Sequence, residues 1–327
     1  MSGFTPPLQQ SRFMDAFTNT GLLALLIRAT RDTAPELVAG LETPHPLTRA
    51  IHPAADKTAL AGKLLAAGKA GTLLSVGRYL QAAPETPTLL ALRASPDPQV
   101  MAEKWMRLER YNHASHRTGI TMPRPTSWLC TRSSTDPADA PTLAENLLIA
   151  GVLIGLLEMT GHDGVTLELG RRHIPAGDLA SFRHDGRMTA TSWRIHWSPA
   201  SQDRPHIPND PDPPSETKPR PASARLVTLL ATDMSRPWRI GDAARALGRS
   251  VRSLQRDLTR EGETFSTCMR RARMTHATQM LIGGETSLAE IGFCCGYADQ
   301  AHFQRDFLTA TNVTPRRFGR ISRGMDV

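Results

Sequence analysis

Residues 303–307 read FQRDF, and residues 254–258, 49 positions earlier, read LQRDL. A five-residue near-match is weak alone, so its flanks decide what it means. Gly248 and Ser250 precede the first copy, and Gly296 and Asp299 precede the second. Each copy thus follows a residue suited to a tight turn and a residue suited to capping a helix. The glycines are 48 apart and the arginines Arg256 and Arg305 are 49 apart, so the second turn is longer by one residue.

The wider stretch IGDAARALGRSVRSLQRDLTREG, residues 240–262, places Ile240, Ala243, Ala244 and Leu247 on one apolar face. Gly248 ends that helix, and a second helix packs through Val251, Leu254 and Leu258. A small residue at Ala244, a turn glycine and a buried Leu254 are what a helix-turn-helix requires. In SLAEIGFCCGYADQAHFQRDFLTAT, residues 287–311, Ser287 and Glu290 form a capping box. Leu288, Ile291 and Cys295 point inward, Gly292 takes the close-approach position, and Phe303 and Phe307 pack the following helix. Between the copies, residues 263–284 predict one continuous helix. It buries Phe265, Met269, Ala272, Met280 and Leu281, exposes three arginines, and ends at Gly283-Gly284.

The 327 residues allow two ordinary domains. The net charge of +8 is uneven: from Arg220 onward there are 17 basic residues, all arginine, against 10 acidic ones, as a phosphate-binding domain requires. Four cysteines, Cys130, Cys268, Cys294 and Cys295, contain no CxxC pair, which argues against a disulfide framework or zinc site and for a reducing cytoplasm. The N-terminus carries no export pattern. The most apolar run, Leu147 to Leu157, is too short to span a bilayer and predicts a buried helix.

Residues 199–221 contain eight prolines among 23 positions, which predicts an extended linker. The expected organisation is an N-terminal domain over 1–198, this linker, and a helical domain over 222–327. The N-terminal domain is expected to be α+β. FTNTGLLALLIRA and the segment around Val100, Met101, Trp105, Leu108 and Tyr111 have helical spacing, the latter capped by Ser95 with Pro96 in first position. VTLELG and MTATSWRIHW alternate as strands do. The helical domain should be all-α, two helix-turn-helix units joined by a long helix.

Residues 222–320 resemble the double helix-turn-helix DNA-binding domain of the AraC/XylS family of bacterial transcription regulators. The second unit carries the resemblance through Ile291, Gly296-Tyr297, Asp299-Gln300, Phe303, Arg305, Phe307, Thr314-Pro315 and Phe318. Two departures stand out: Thr311-Asn312 where the family usually has Phe-Gly, and Phe318-Gly319 where it usually has Tyr-Arg. The Ser95-Pro96 step and Arg110-Tyr111 are similar to the effector-sensing domain of the branch that includes ornithine and virulence regulators.

The resemblance implies double-stranded promoter DNA and RNA polymerase as partners, activation as the commoner habit, no cofactor, and an N-terminal domain that senses a small-molecule effector or forms a homodimer. For base contacts it implies Arg252, Gln255 and Arg256 in the first unit and Gln300, His302 and Arg305 in the second. Arginine pairs bidentately with guanine and glutamine with adenine; the alternatives are phosphate contacts or a solvated polar face. Asp257 and Asp306 would be repelled by phosphates and are expected to brace the helices.

The remaining constellations read as structure. His113 and His116 have no third ligand nearby in sequence, so no metal is expected. His162, His173, His184 and His196 lack ligand spacing, Cys294 and Cys295 are expected to fill core, and the stripe around Trp105 is expected to be core. Two other readings remain: an enzyme tethered to DNA, which needs Cys130 as a reactive thiol, and a regulator whose N-terminal domain binds a protein and no ligand.

Overall fold

The computed structural model describes residues 17–83, 85–186, 191–198, 220–234 and 236–325. Most of the proline-rich segment lies outside them. The N-terminal part runs β1 (Phe17–Asn19), α1 (Thr20–Thr33), β2 (Ile51–Pro53), α2 (Ala54–Ala66), α3 (Ala70–Leu74), α4 (Pro87–Arg93), α5 (Pro98–Asn112), β3 (His116–Arg124), β4 (Ser127–Ser134), α6 (Leu143–Met159), β5 (Thr166–Leu169), β6 (Arg172–Pro175) and β7 (Ser192–His196). Seven helices follow: α7 (Ala222–Ala231), α8 (Ile240–Ala246), α9 (Val251–Arg260), α10 (Phe265–Gly283), α11 (Leu288–Cys294), α12 (Gln300–Thr311) and α13 (Pro315–Ser322). The α+β reading of the first part and the all-α reading of the second both hold.

Five antiparallel strands form a sheet in the order β3-β4-β7-β5-β6. Trp128 opposes Ile195, which opposes Leu167 on its other side, giving one fully buried row across three strands. That row shares a core with α6, which is buried along nearly its whole length. Its apolar run is a core helix, and among the described residues no helix is long and apolar enough to cross a membrane. Glycines set the packing distance here. A Cβ on Gly77 would fall 2.2 Å from the carbonyl oxygen of Gly151 and 2.8 Å from Gly155 Cα.

Two local expectations are corrected. Asp97, not Ser95, caps α5: its backbone is extended and its Oδ1 accepts from the Val100 amide at 2.8 Å, with Pro98 in first position. Ser95 is buried. Phe17–Asn19 pairs as a strand with β2, and Asn19 caps the helix that starts at Thr20, accepting from the Leu22 amide at 3.0 Å.

His113 and His116 do have a third neighbour, supplied by tertiary folding. They stack 4.8 Å apart at a buried site with Glu145 of α6. The ammonium of buried Lys57 stands among them, 2.8 Å from Glu145 Oε1 and 2.9 Å from His113 Nε2, so a lysine supplies the positive charge there. Burial opposes ionisation of Glu145, but Lys57 and the Thr142 amide outweigh it and hold the carboxyl at about 2. Burial, then Lys57, pushes His113 down to about 2.

Among the described residues there are three hydrophobic clusters, and one of them draws on both ends of the chain. One belongs to the N-terminal part and one to α7–α10. The third, around Phe303, Phe307 and Phe318, includes Leu47, Ala91 and Leu108 from the N-terminal part. The second helix-turn-helix unit therefore completes its core with residues of the N-terminal part.

Candidate nucleic-acid interface

In the first unit Gly248 takes φ +65°, and the Arg249 amide donates to Ala244 O at 2.8 Å. Ser250 Oγ accepts from the Ser253 amide at 3.1 Å and starts α9. Leu254 and Leu258 are buried, while Arg252, Gln255 and Arg256 are exposed together. Val251 does not pack as expected: it is 37% exposed, because it sits at the first position of α9, ahead of the turn that Leu254 anchors.

The second unit repeats this with its longer turn, five residues between α11 and α12 against four between α8 and α9. Ser287 and Glu290 form the capping box, and Asp299 Oδ1 accepts from the His302 amide at 2.6 Å. Gly296 takes φ +70°, and a Cβ there would meet Met234 O at 2.5 Å, so the turn abuts the first unit. Phe303 and Phe307 are fully buried, while Gln300, His302 and Arg305 are exposed. His302 stands edge-on to Tyr297 at 5.3 Å, on the wall of a cleft of about 570 Å³ that also touches Trp238 and Arg239 just ahead of α8 and Phe265 at the start of α10. Gln300 lines a different cavity, beside α13.

The two aspartates of the repeated motif are internal braces. Asp257 pairs with Arg249 in the turn and with Arg260 at 3.4 Å. Asp306 accepts from Tyr297 Oη at 2.9 Å and pairs with Arg270 at 2.6 Å. Burial, and then Asp306, pushes the Tyr297 phenol up, keeping it a donor. The arginines of α10, expected in solvent, instead have partners within the domain. Arg270 reaches α12, Arg271 pairs with Glu263 at 2.8 Å, and Arg273 lies over Tyr297 at 5.3 Å. Helix α10 runs for 19 residues, about 28 Å at 1.5 Å per residue. Cys295 fills core as expected, but Cys294 is exposed, since the helix turns it to the opposite side.

One contact lies beyond local sequence patterning: the far end of α12 is held by the N-terminal part. The Ala50 amide donates to Thr309 O at 3.0 Å, Asn312 Nδ2 donates to Tyr111 O at 2.6 Å, and Arg317 lies over the Tyr111 ring at 5.7 Å. Asn312 is the sole described non-glycine residue with positive φ, at +57°. It takes the left-handed cap that glycine usually fills, and uses its side chain for the contact. The departure from Phe-Gly at 311–312 was the available clue.

A family profile described as "Helix-turn-helix domain" matches residues 243–321. Similar curated proteins include the HTH-type transcriptional activator FapR of Escherichia coli, 30% identical over 96 residues, which are 29% of this chain and 37% of that one. The urease operon transcriptional activator of Escherichia coli is 30% identical over 103 residues, 32% of this chain and 35% of that one. The chain thus spans about a third of the length of the curated relatives it matches. Among solved structures, an AraC-type DNA-binding-domain regulator from Chromobacterium violaceum is 27% identical, covering 31% of this chain and 92% of that one at a TM-score of 0.30. ToxT from Vibrio cholerae is 23% identical, covering 32% and 40% at 0.30. With two capped units on one connecting helix, residues 243–321 form an AraC-type helix-turn-helix domain.

Proposed function

We propose that this protein is a sequence-specific DNA-binding transcriptional regulator, an activator working in the cytoplasm with RNA polymerase as its partner. The observation that carries the reading is the pair of capped helices α9 and α12, each with an exposed arginine, Arg256 and Arg305, and each braced from behind by an aspartate. Arg252, Gln255 and Arg256 read one half-site, and Gln300, His302 and Arg305 face the next major groove, about 34 Å along the duplex. The unequal turns argue for two unlike half-sites in place of a palindrome. The relatives named as activators support the direction of control.

The N-terminal part modulates this activity through its grip on α12, by binding a small-molecule effector or by forming a homodimer. The grip at Ala50, Tyr111 and Leu47 supports that route. A tethered enzyme is disfavoured, because Cys130 is fully buried on β4 and burial pushes its thiol up, leaving it protonated and inaccessible. A protein partner for the N-terminal part is the second reading, supported by the same grip.

The test is selection of bound sequences by the full chain, then footprinting with and without cell metabolites and transcription from the selected site. Two adjacent unlike half-sites and raised transcription are expected. Binding without sequence preference would overturn the reading, and a metabolite-independent footprint with a co-purifying protein would favour the protein-partner version.

A further inference from the structure

His113 closes α5 two residues after Tyr111, whose carbonyl oxygen accepts from Asn312, and its ring is buried. Nε2 meets the Lys57 ammonium at 2.9 Å and Nδ1 receives the His116 amide at 3.3 Å, so both ring nitrogens face donors. A neutral imidazole keeps one lone pair for them, whereas an imidazolium keeps none. The charges around the ring are already matched: Lys57 of α2 by Glu145 of α6, and Arg132 of β4 by Glu109 of α5, each at 2.8 Å. On β3, His116 turns Nε2 to Asp139 O at 2.9 Å, and Arg117 donates to His113 O at 3.0 Å. A proton on His113 would add a second positive charge beside Lys57 with both neighbouring carboxylates taken. Burial, then Lys57, holds the group at about 2.

The same turn carries the hold on α12. Next to His113, Asn112 Oδ1 accepts from Asn19 Nδ2 at 2.8 Å, and the Ala114 amide donates to Phe17 O at 3.0 Å, which fastens β1 to the turn. Strand β1 pairs with β2, and Ala50, just ahead of β2, donates to Thr309 O at 3.0 Å. The contacts of Tyr111 and Ala50 with α12 therefore both run through residues tied to the His113 turn.

We propose that His113 is a proton-operated catch: on taking a proton its ring leaves the place between Lys57 and the His116 amide, and Tyr111 and Ala50 let go of α12. Acidity is then an effector of this protein. The inference rests on the reading of the N-terminal part as a modulator of DNA binding through α12. Its sign follows from linkage: the held state excludes the proton, and the released state, with the ring in water, accepts it near a pH of about 6.5. Each pH unit below that value favours release by up to about tenfold. Another histidine at this interface, His45, stands 3.4 Å from Glu263, and a proton there strengthens the hold. Release in acid must therefore come from His113.

The experiment follows hydrogen exchange of the full chain from about pH 7.5 to about pH 5, corrected for the intrinsic pH dependence of exchange, in wild type, H113N, K57M and H45Q. In wild type the Ala50 amide should lose protection by up to about tenfold per pH unit below about 6.5, while the amides of α6 and α9 keep theirs. H113N should hold Ala50 equally at every pH. Should H113N lose the hold at neutral pH, K57M decides: without Lys57 the imidazolium pairs with Glu145, so protection at Ala50 should persist to lower pH than in wild type. H45Q should release at the same pH as wild type or higher. Steady protection at Ala50 in wild type would overturn the proposal, as would loss in step with α6 and α9, which signifies unfolding of the whole chain, or a wild-type profile in both H113N and K57M. Operator affinity over the same range, read by fluorescence anisotropy, should depart from that of H113N only below about pH 6.5; identical profiles would overturn acidity as an effector. If Ala50 is released but wild type lacks sequence-selective binding at every pH, the DNA-binding reading fails and the catch stands.

Discussion

Asn312, the left-handed residue that closes the second recognition helix, donates its side-chain amide to the carbonyl oxygen of Tyr111 at 2.6 Å, across 201 residues of chain. Tyr111 lies in the last turn of α5, so the helix expected to enter DNA is tied at its far end to the N-terminal part. The glycine more usual at this position would satisfy the backbone and lose the tie.

Two variants separate these roles. Asn312→Gly keeps the backbone and should cost about 0.5–1.5 kcal/mol from the lost bond. Asn312→Ala should cost about 1–2 kcal/mol more, because alanine is strained at positive φ. Urea unfolding measures both, and an unchanged midpoint in Asn312→Gly would show that the bond does not hold the two parts together.

For DNA binding, Arg256→Ala and Arg305→Ala should each weaken specific affinity by about 1–3 kcal/mol. Both side chains are exposed, so thermal stability should stay within about 0.5 kcal/mol. Fluorescence anisotropy on operator and unrelated duplexes reads the difference. Equal loss on both duplexes would reassign these arginines to phosphates.

The repeated aspartates should differ in their effect. Asp306→Asn disturbs partners that are mostly buried, Arg270 and Tyr297, and should cost about 1–3 kcal/mol. Asp257→Asn disturbs more exposed arginines and should cost under about 1 kcal/mol. The reverse order in chemical denaturation would contradict the brace assigned to α10.

Acid sensitivity should begin well above the carboxylate range. Free histidine titrates near 6.5, whereas His113 is held at about 2 in the fold, so between these values the unfolded chain binds a proton that the folded chain does not. Stability should fall as pH drops through that window, by up to about 1.4 kcal/mol per pH unit. Glu145, also at about 2, adds stability that is complete above its ordinary 4.5 and lost as pH falls below it. The fall should therefore start near 6.5 and steepen below 4.5. His113→Asn should flatten the upper part, and an identical slope between pH 5 and 6.5 would exclude His113 as its source.

Glycine substitutions should also separate by site. Gly77→Ala drives a methyl into the backbone of α6 and should cost about 3 kcal/mol or more. Gly292→Ala meets its nearest neighbour, Phe303 Cβ, at 3.4 Å, and the equivalent place in the first unit already carries alanine at 244. It should be tolerated, and loss of the fold there would contradict the alignment of the two units.

The sequence alone determined the helix-turn-helix pair, because capping, turn glycines and apolar spacing are local and each copy repeated them. Ser250, Ser287, Asp299, Gly248 and Gly296 all act as their types dictate. The exposed face of α9 and the buried Phe303 and Phe307 followed from the same periodicity. What lay beyond one element was decided only by tertiary structure. Arg270, Arg271 and Arg273 read as a solvated face until partners 36, 8 and 24 residues away came alongside. Glu145 joined His113 and His116 through the packing of α6, and Lys57 then filled the space between them. The proline-rich segment marks an expected division, whereas Leu47, Ala91 and Leu108 enter the core of the second unit. Apolar spacing marks a residue as buried without naming its partner. That pairing depends on how distant surfaces meet, which no local pattern encodes.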